Sequence, residues 1–198
     1  MRKVVFFCLL IMACATTAFA QETEGEGKLS AMELKMKGIN AEKIGLTELA
    51  ERYYRQALAT PEGDPSGETQ KLLGILCEQK EYFDEAISLL EQSNTCEALS
   101  HQAYCLIQLN DLDSAKHVAS RAIELDPTSA LAMTMMAYVE TQRDQHVNAI
   151  SWATRALKAD PKFARGENVM GYIQFRKGNH TEATKHFKKA IQLDSTFA

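Results

Sequence analysis

Three tyrosines recur at one fixed interval, and they are the side chains of this chain best suited to recognising another molecule. Tyr104, Tyr138 and Tyr172 follow one another at intervals of 34 residues. Tyrosine offers a large rigid surface at a low cost in conformational entropy, together with a hydroxyl that forms hydrogen bonds. Two interpretations are open: the rings form a binding surface, or they stabilise the packing of repeated units.

A stripe of residues three and four apart runs through each tyrosine, as expected for one face of a helix. Arg165 and Arg176 flank Tyr172, and arginine can bind a carboxylate through two parallel hydrogen bonds. This favours a partner with an acidic stretch or a free C-terminus, while ordinary solvated charge is the alternative. The candidate partner-binding residues are Tyr104, Ile107, Gln108, Tyr138, Gln142, Arg165, Asn168, Tyr172, Phe175 and Arg176.

The chain lacks the sequence patterns of covalent chemistry. It has no glycine-rich phosphate loop, no His-Glu-x-x-His and no Gly-x-Ser-x-Gly motif. His180 and His186 are six residues apart, which places them on different faces of a helix and argues against a metal pair. Acidic residues such as Asp84 and Asp111 follow turns, where helix capping explains them. We therefore expect no enzymatic activity, no cofactor and no bound metal.

The first 20 residues have the pattern of a signal peptide. Arg2 and Lys3 precede the apolar run Val4–Ala13, and Ala18-Phe19-Ala20 is the small-x-small pattern that signal peptidase recognises. Ten apolar residues are too few for a resident membrane helix, which is the alternative. The sequence therefore predicts cleavage after Ala20 and an exported, periplasmic protein.

A second processing route is open, because Ile11-Met12-Ala13-Cys14 resembles a bacterial lipoprotein box. Lipidation of Cys14 would make the protein a membrane-anchored lipoprotein acting as an envelope assembly factor. Met12 fits that pattern poorly, whereas Ala18-Phe19-Ala20 fits the signal-peptidase pattern well.

The size, charge and cysteine content of the mature chain limit the classes of protein to which it can belong. Removal of residues 1–20 leaves 178 residues with 20 basic and 26 acidic side chains, and a net charge of −6 argues against nucleic acid as the partner. A single domain of this size can bury roughly 70% of its unfolded surface. Cys77, Cys96 and Cys105 are odd in number and lack metal-type spacing. Cys77 and Cys105 are expected to pack inside helices, and Cys96 to open one.

A 34-residue period runs through most of the chain. Asp126-Pro127 recurs at Asp160-Pro161, and Leu125-Asp126 recurs at Leu193-Asp194. Fourteen of fifteen periodic positions are Gly or Ala, although only 36 of the 198 residues are of these types. Small residues at such positions let paired helices approach closely. The fifteen positions are Gly38, Ala50, Ala57, Gly74, Ala86, Ser93, Ala103, Ala115, Ala122, Ala137, Ala149, Ala156, Gly171, Ala183 and Ala190.

With its small-residue triplets, its closing Asp-Pro and its turns at Gly45, Asn110-Asp111 and Gly178-Asn179, the chain resembles the tetratricopeptide repeat family. The resemblance implies an all-α, right-handed α-solenoid of about five helix-turn-helix repeats. The chain departs from the family pattern in that the usual tryptophan near the start of the first helix is absent from all five units. It also implies that the tyrosine stripes line a concave groove that binds an extended peptide or partner protein. The implied units are 31–64, 67–95, 96–129, 130–163 and 164–197, preceded by a polar linker at 21–30.

The resemblance does not extend to the chaperone-binding members of the family, which use a Lys/Asn clamp. Lys35 and Lys71 match its lysine, but Ile39 and Ile75 stand where its asparagine should be. The insertion Pro61–Gly67 interrupts the period, so a bend is expected there, and the unit that follows is short in its second helix.

Intact-mass analysis of the exported protein distinguishes the two processing routes. We expect a chain that begins at Gln21. A chain that begins at an acylated Cys14 would contradict this expectation and support the lipid-anchored alternative.

Overall fold

Ten α-helices and a short terminal 3₁₀ turn make up the residues that the computed structural model describes, 29–197. The predicted all-α class is confirmed, and no strand occurs in this range. The predicted signal peptide and most of the predicted linker lie outside it. The helices are α1 Ala31–Lys43, α2 Thr47–Leu58, α3 Glu68–Gln79, α4 Phe83–Leu90, α5 Cys96–Gln108, α6 Leu112–Leu125, α7 Ala130–Gln142, α8 His146–Ala159, α9 Ala164–Arg176 and α10 His180–Leu193.

The chain separates into two compact units between Gly63 and Asp64, inside the Pro61–Gly67 insertion. The described part of the first unit holds the helix pair α1 and α2. The second unit holds four further pairs, in which α5, α7 and α9 also pack on one another in succession. The second pair ends in the eight-residue helix α4, as the shortened repeat predicted.

The turn between the two helices of each pair contains one residue in the left-handed backbone region. These residues are Gly45, Glu81, Asn110, Asp144 and Gly178, with φ between 59° and 81°. Glycine adopts this conformation freely, whereas Glu81 and Asp144 do so at a cost in strain. The turns at Gly45, Asn110 and Gly178 were predicted from residue type, and the other two were not.

The closing aspartates end their helices through their own side chains. Asp126, Asp160 and Asp194 are extended residues directly after α6, α8 and α10. In each case Oδ1 accepts a hydrogen bond of 2.9 Å from the backbone N–H two residues later. This local bond competes with the helical ladder, which explains why aspartate recurs even where Ser195 replaces proline.

The small residues lie where the helices of a pair meet. Ala103, Ala115, Ala137 and Ala149 are fully buried between paired helices. A Cβ on Gly171 would lie 2.8 Å from the Phe187 ring, so the absence of a side chain is what admits that ring. Cys77 and Cys105 are buried as expected, and Cys96 opens α5 half-buried.

Each buried carboxylate of the second unit has a basic partner. Glu78 Oε2 lies 2.5 Å from His101 Nδ1, and Glu140 Oε1 lies 2.7 Å from Lys116 Nζ. Glu167 is paired with both His186 and Lys189. Pairing offsets the desolvation that an isolated buried charge would suffer. No helix within residues 29–197 has the length and apolar composition needed to cross a membrane.

The first unit offers a test of close packing, because a Cβ on Gly38 would lie 2.4 Å from Tyr54 Cε1. Tyr54 is fully buried, and its hydroxyl donates to Glu42 at 2.8 Å, so the ring has little room to move. We expect Gly38→Ala to destabilise α1 and α2 by about 1–2 kcal/mol, because overpacking outweighs the gain in helix propensity. Hydrogen exchange of the α1 amides should accelerate about tenfold.

Asn40→Ala on the exposed face of α1 is the matched control. It should leave exchange unchanged or slow it slightly, because alanine raises helix propensity without steric cost. Equal exchange rates in Gly38→Ala and wild type would contradict the close-packing account of this pair.

Candidate functional site

The three tyrosines line one cavity in the second unit. Tyr104 on α5, Tyr138 on α7 and Tyr172 on α9 face a space of about 200 Å³, and all three rings are half-buried. Tyr138 and Tyr172 pack edge to face, with ring centroids 5.4 Å apart. The cavity therefore draws one equivalent residue from each of three successive repeats. Its other lining residues are Met135, Arg165, Asn168, Val169 and Phe187.

Burial raises the pKa of Tyr138 above its ordinary value, with a further contribution from Tyr172. Burial also raises the pKa of Tyr104, with smaller contributions from Tyr138 and Glu78. Both phenols are therefore protonated at neutral pH, and their hydroxyls can donate or accept hydrogen bonds. The side chain of Gln108 acts in the opposite direction and lowers the pKa of Tyr138, without offsetting the effect of burial.

The two arginines of the predicted site have different surroundings. Arg176 Nη1 donates to Tyr172 Oη and to Gln142 Oε1, both at 3.1 Å, and its Nη2 contacts Asp144 Oδ1 at 2.5 Å. Arg165 reaches back from the first turn of α9, so that its guanidinium lies 5.5 Å from the centroid of the Tyr104 ring. Arg165 therefore lines the same cavity as Tyr172, but the ring that it contacts is Tyr104, two repeats earlier.

Ile107 is a correction to the predicted site. It is 3% exposed and packs with Ala115 and Val139, because the following repeat covers that side of α5. The equivalent Phe175 on α9 is 51% exposed and packs edge to face against His180, outside the cavity. Gln108 is exposed and close enough to Tyr138 to affect its pKa, and Gln142 accepts from Tyr172 Oη at 3.3 Å, so both lie beside the tyrosines.

Three cavity residues were not predicted. Met135 and Val169 are nearly fully buried at the base, and Phe187 enters from α10 across Gly171. The sequence held one signal for Phe187, since it lies on the apolar stripe of the last helix with Ala183 and Ala190. Within the described range, no three His, Cys, Asp or Glu side chains are grouped as a metal site requires.

The buried Glu167 fixes α10, and with it the Phe187 wall, to α9. Its carboxylate is 3% exposed and accepts from Lys189 Nζ at 2.5 Å, while His186 Nδ1 lies 2.7 Å away. Burial alone would raise the pKa of Glu167, but the bonds from Lys189 and His186 outweigh it and lower the pKa below the ordinary value. The charged form is therefore the stabilising one.

Comparison with known proteins identifies the repeats. A tetratricopeptide-repeat family profile matches residues 102–164, and a second tetratricopeptide-repeat profile matches residues 168–197. The helix pairs, the small interface residues and these matches agree, and the chain belongs to the tetratricopeptide-repeat family. Comparison with curated protein sequences gives no match.

Solved structures share this fold. A thermophilic tetratricopeptide-repeat protein of Thermus thermophilus, TTC0263, has a TM-score of 0.71 at 14% identity and covers 84% of this chain and 92% of its own. MamA from Desulfovibrio magneticus RS-1, from residue 41 to its end, has a TM-score of 0.62 at 20% identity, covering 84% and 96%. YrrB, described as a protein of this class with an unusual peptide-binding site, has a TM-score of 0.58 at 22% identity, covering 90% and 93%.

We expect Glu167→Gln to lower stability at pH 7, and the difference from wild type to shrink as the pH falls from 5 to 3. A carboxyl whose pKa is lowered on folding contributes stability above its unfolded pKa and loses it as the pH falls through the folded value. Urea unfolding at several pH values measures the difference. The exposed Glu124→Gln serves as control, and a difference for Glu167→Gln that does not depend on pH would contradict the assignment.

Proposed function

We propose that this protein is a non-catalytic scaffold that binds an extended segment of another protein in the groove lined by Tyr104, Tyr138 and Tyr172. The observation that carries the proposal is that three successive repeats place one tyrosine each around a single cavity. Half-buried rings with protonated hydroxyls suit a peptide, because they offer apolar area and hydrogen bonds together. The fold it shares with YrrB, which has a peptide-binding site, supports this proposal.

The dimensions of the cavity support a peptide rather than a small molecule. Pockets for small molecules have volumes of roughly 300–1,000 Å³, whereas this cavity has about 200 Å³. It fits one side chain of a longer ligand, whose remaining residues would contact the flanking Gln108, Gln142 and Phe175. An affinity in the micromolar range, about −8 kcal/mol, is expected for such a groove.

The proposed setting is the periplasm, on the basis of the N-terminal sequence pattern. The intact-mass measurement described above tests this part separately from the binding groove. The lipid-anchored alternative would change where the scaffold acts, and the groove chemistry would stay the same.

The binding test uses a displayed library of random linear decapeptides. Wild-type protein should enrich a set of peptides, and Tyr138→Ala combined with Tyr172→Ala should weaken their binding at least tenfold, because both ring surfaces are lost. Fluorescence anisotropy with the selected peptides gives the affinities. Circular dichroism confirms that the helices are retained.

Tyr82→Ala is the matched control, because Tyr82 is a half-exposed tyrosine at the start of α4, away from the cavity. It should bind the selected peptides as wild type does. Unchanged affinity in a folded double variant would remove the tyrosine groove from the function of this protein.

A further inference from the structure

The tyrosine cavity contains one formal charge. Of its eight lining residues, Arg165 alone is ionised at neutral pH, and no carboxylate is among them. The other polar groups are the three phenols and the amide of Asn168. A cation surrounded by aromatic rings and hydrogen-bond donors is suited to an anionic group, since the low local dielectric strengthens the attraction.

Arg165 also has a donor that is not used. Its Nη1 is buried and has no hydrogen-bond partner among residues 29–197. Leaving a buried donor unpaired is unfavourable, so native structures satisfy nearly all such groups. Arg176 shows the contrast within the same helix, because its guanidinium is bonded to Gln142, Tyr172 and Asp144.

Asp194 interacts electrostatically with Arg165 but does not accept a hydrogen bond from its Nη1. Asp194 lies with Arg165 on the rim of a neighbouring cavity of about 460 Å³. Its Oδ1 accepts from the backbone N–H and the hydroxyl of Thr196, at 2.9 and 2.8 Å. Those bonds, more than Arg165, lower the pKa of Asp194. Nη1 of Arg165 thus has no acceptor although Asp194 is nearby.

We propose that the cavity binds the carboxylate of an aspartate or glutamate side chain within an extended partner segment, and that Arg165 selects that residue. The guanidinium would bind the carboxylate, while the hydroxyls of Tyr104 and Tyr138 and the amide of Asn168 donate to its remaining lone pairs. The tyrosines lie on the first helices of three successive repeats, so a bound segment can continue past the cavity on both sides. This proposal rests on the proposed peptide-binding function and specifies the chemistry of the ligand.

Three synthetic peptides test the selection. The first is acetyl-Ala-Leu-Glu-Leu-Ala-amide, the second carries Gln in place of Glu, and the third is acetyl-Ala-Leu-Ala-Leu with a free C-terminal carboxylate. Titration into isotope-labelled full-length protein, followed by NMR at the Arg165 side-chain N–H, measures each affinity. Wild type should bind the Glu peptide at least tenfold more tightly than either of the others.

Arg165→Gln should bind the Glu and Gln peptides equally, and Arg165→Lys should retain part of the preference, because it keeps the charge but loses the paired donors. Backbone amide resonances of α9 follow binding in these variants. Arg155→Gln is the matched control, since Arg155 is an exposed arginine that stacks on Trp152 in α8. It should keep the full preference.

Each contrary result has a distinct meaning. Equal wild-type affinity for the Glu and Gln peptides, both weakened by the tyrosine double variant, would overturn charge selection while the groove remains. Tighter binding of the free C-terminal peptide would overturn the side-chain assignment. No binding of the Glu peptide at millimolar concentration would overturn this proposal, whereas the groove itself is judged by the random-peptide selection.

Discussion

The close approach of paired helices is the constraint on which the rest of this structure depends. Alanines such as Ala103 and Ala137 are fully buried where the two helices of a repeat meet. Because a small residue occupies that line, the larger side chains of the first helix lie to either side of it. One of those sides carries the tyrosine stripe, so the face on which Tyr104, Tyr138 and Tyr172 lie follows from where the alanines must be.

Periodicity predicted the helix pairs well, because each pair is determined by local residue types that recur in every repeat. The closing aspartates, the shortened helix α4 and the half-buried tyrosines all follow from residue type at a fixed interval. The left-handed residues Glu81 and Asp144 could not be predicted in this way. Glutamate does not favour that conformation, and aspartate adopts it less readily than glycine, so the surrounding turn imposes it.

The burial of a residue was harder to predict than the helix face on which it lies. Ile107, Thr141 and Phe175 occupy one repeat position, yet the first two are buried and Phe175 is half-exposed. Ile107 packs against Val139 of the next first helix, whereas no further repeat follows α9 within the described residues to cover Phe175. Position within a repeat is set by the sequence of that repeat, but burial depends on its neighbours. The contact between Arg165 and Tyr104 is a similar case. A helical stripe groups residues of one helix only, whereas the long side chain of Arg165 extends to a helix of another repeat.

The overall charge of the chain bears on how such a cavity would select a partner. The full sequence carries a net charge of −4, so an acidic segment meets weak repulsion at a distance. At physiological ionic strength that repulsion is screened beyond about 8 Å, whereas the guanidinium of Arg165 acts at contact distance in a cavity of low dielectric. Selection of an acidic segment would therefore arise after the two molecules have met. It would affect the dissociation rate of the complex more than its association rate. A scaffold that binds in the proposed way would discriminate by the side chain that the bound segment places in one small cavity.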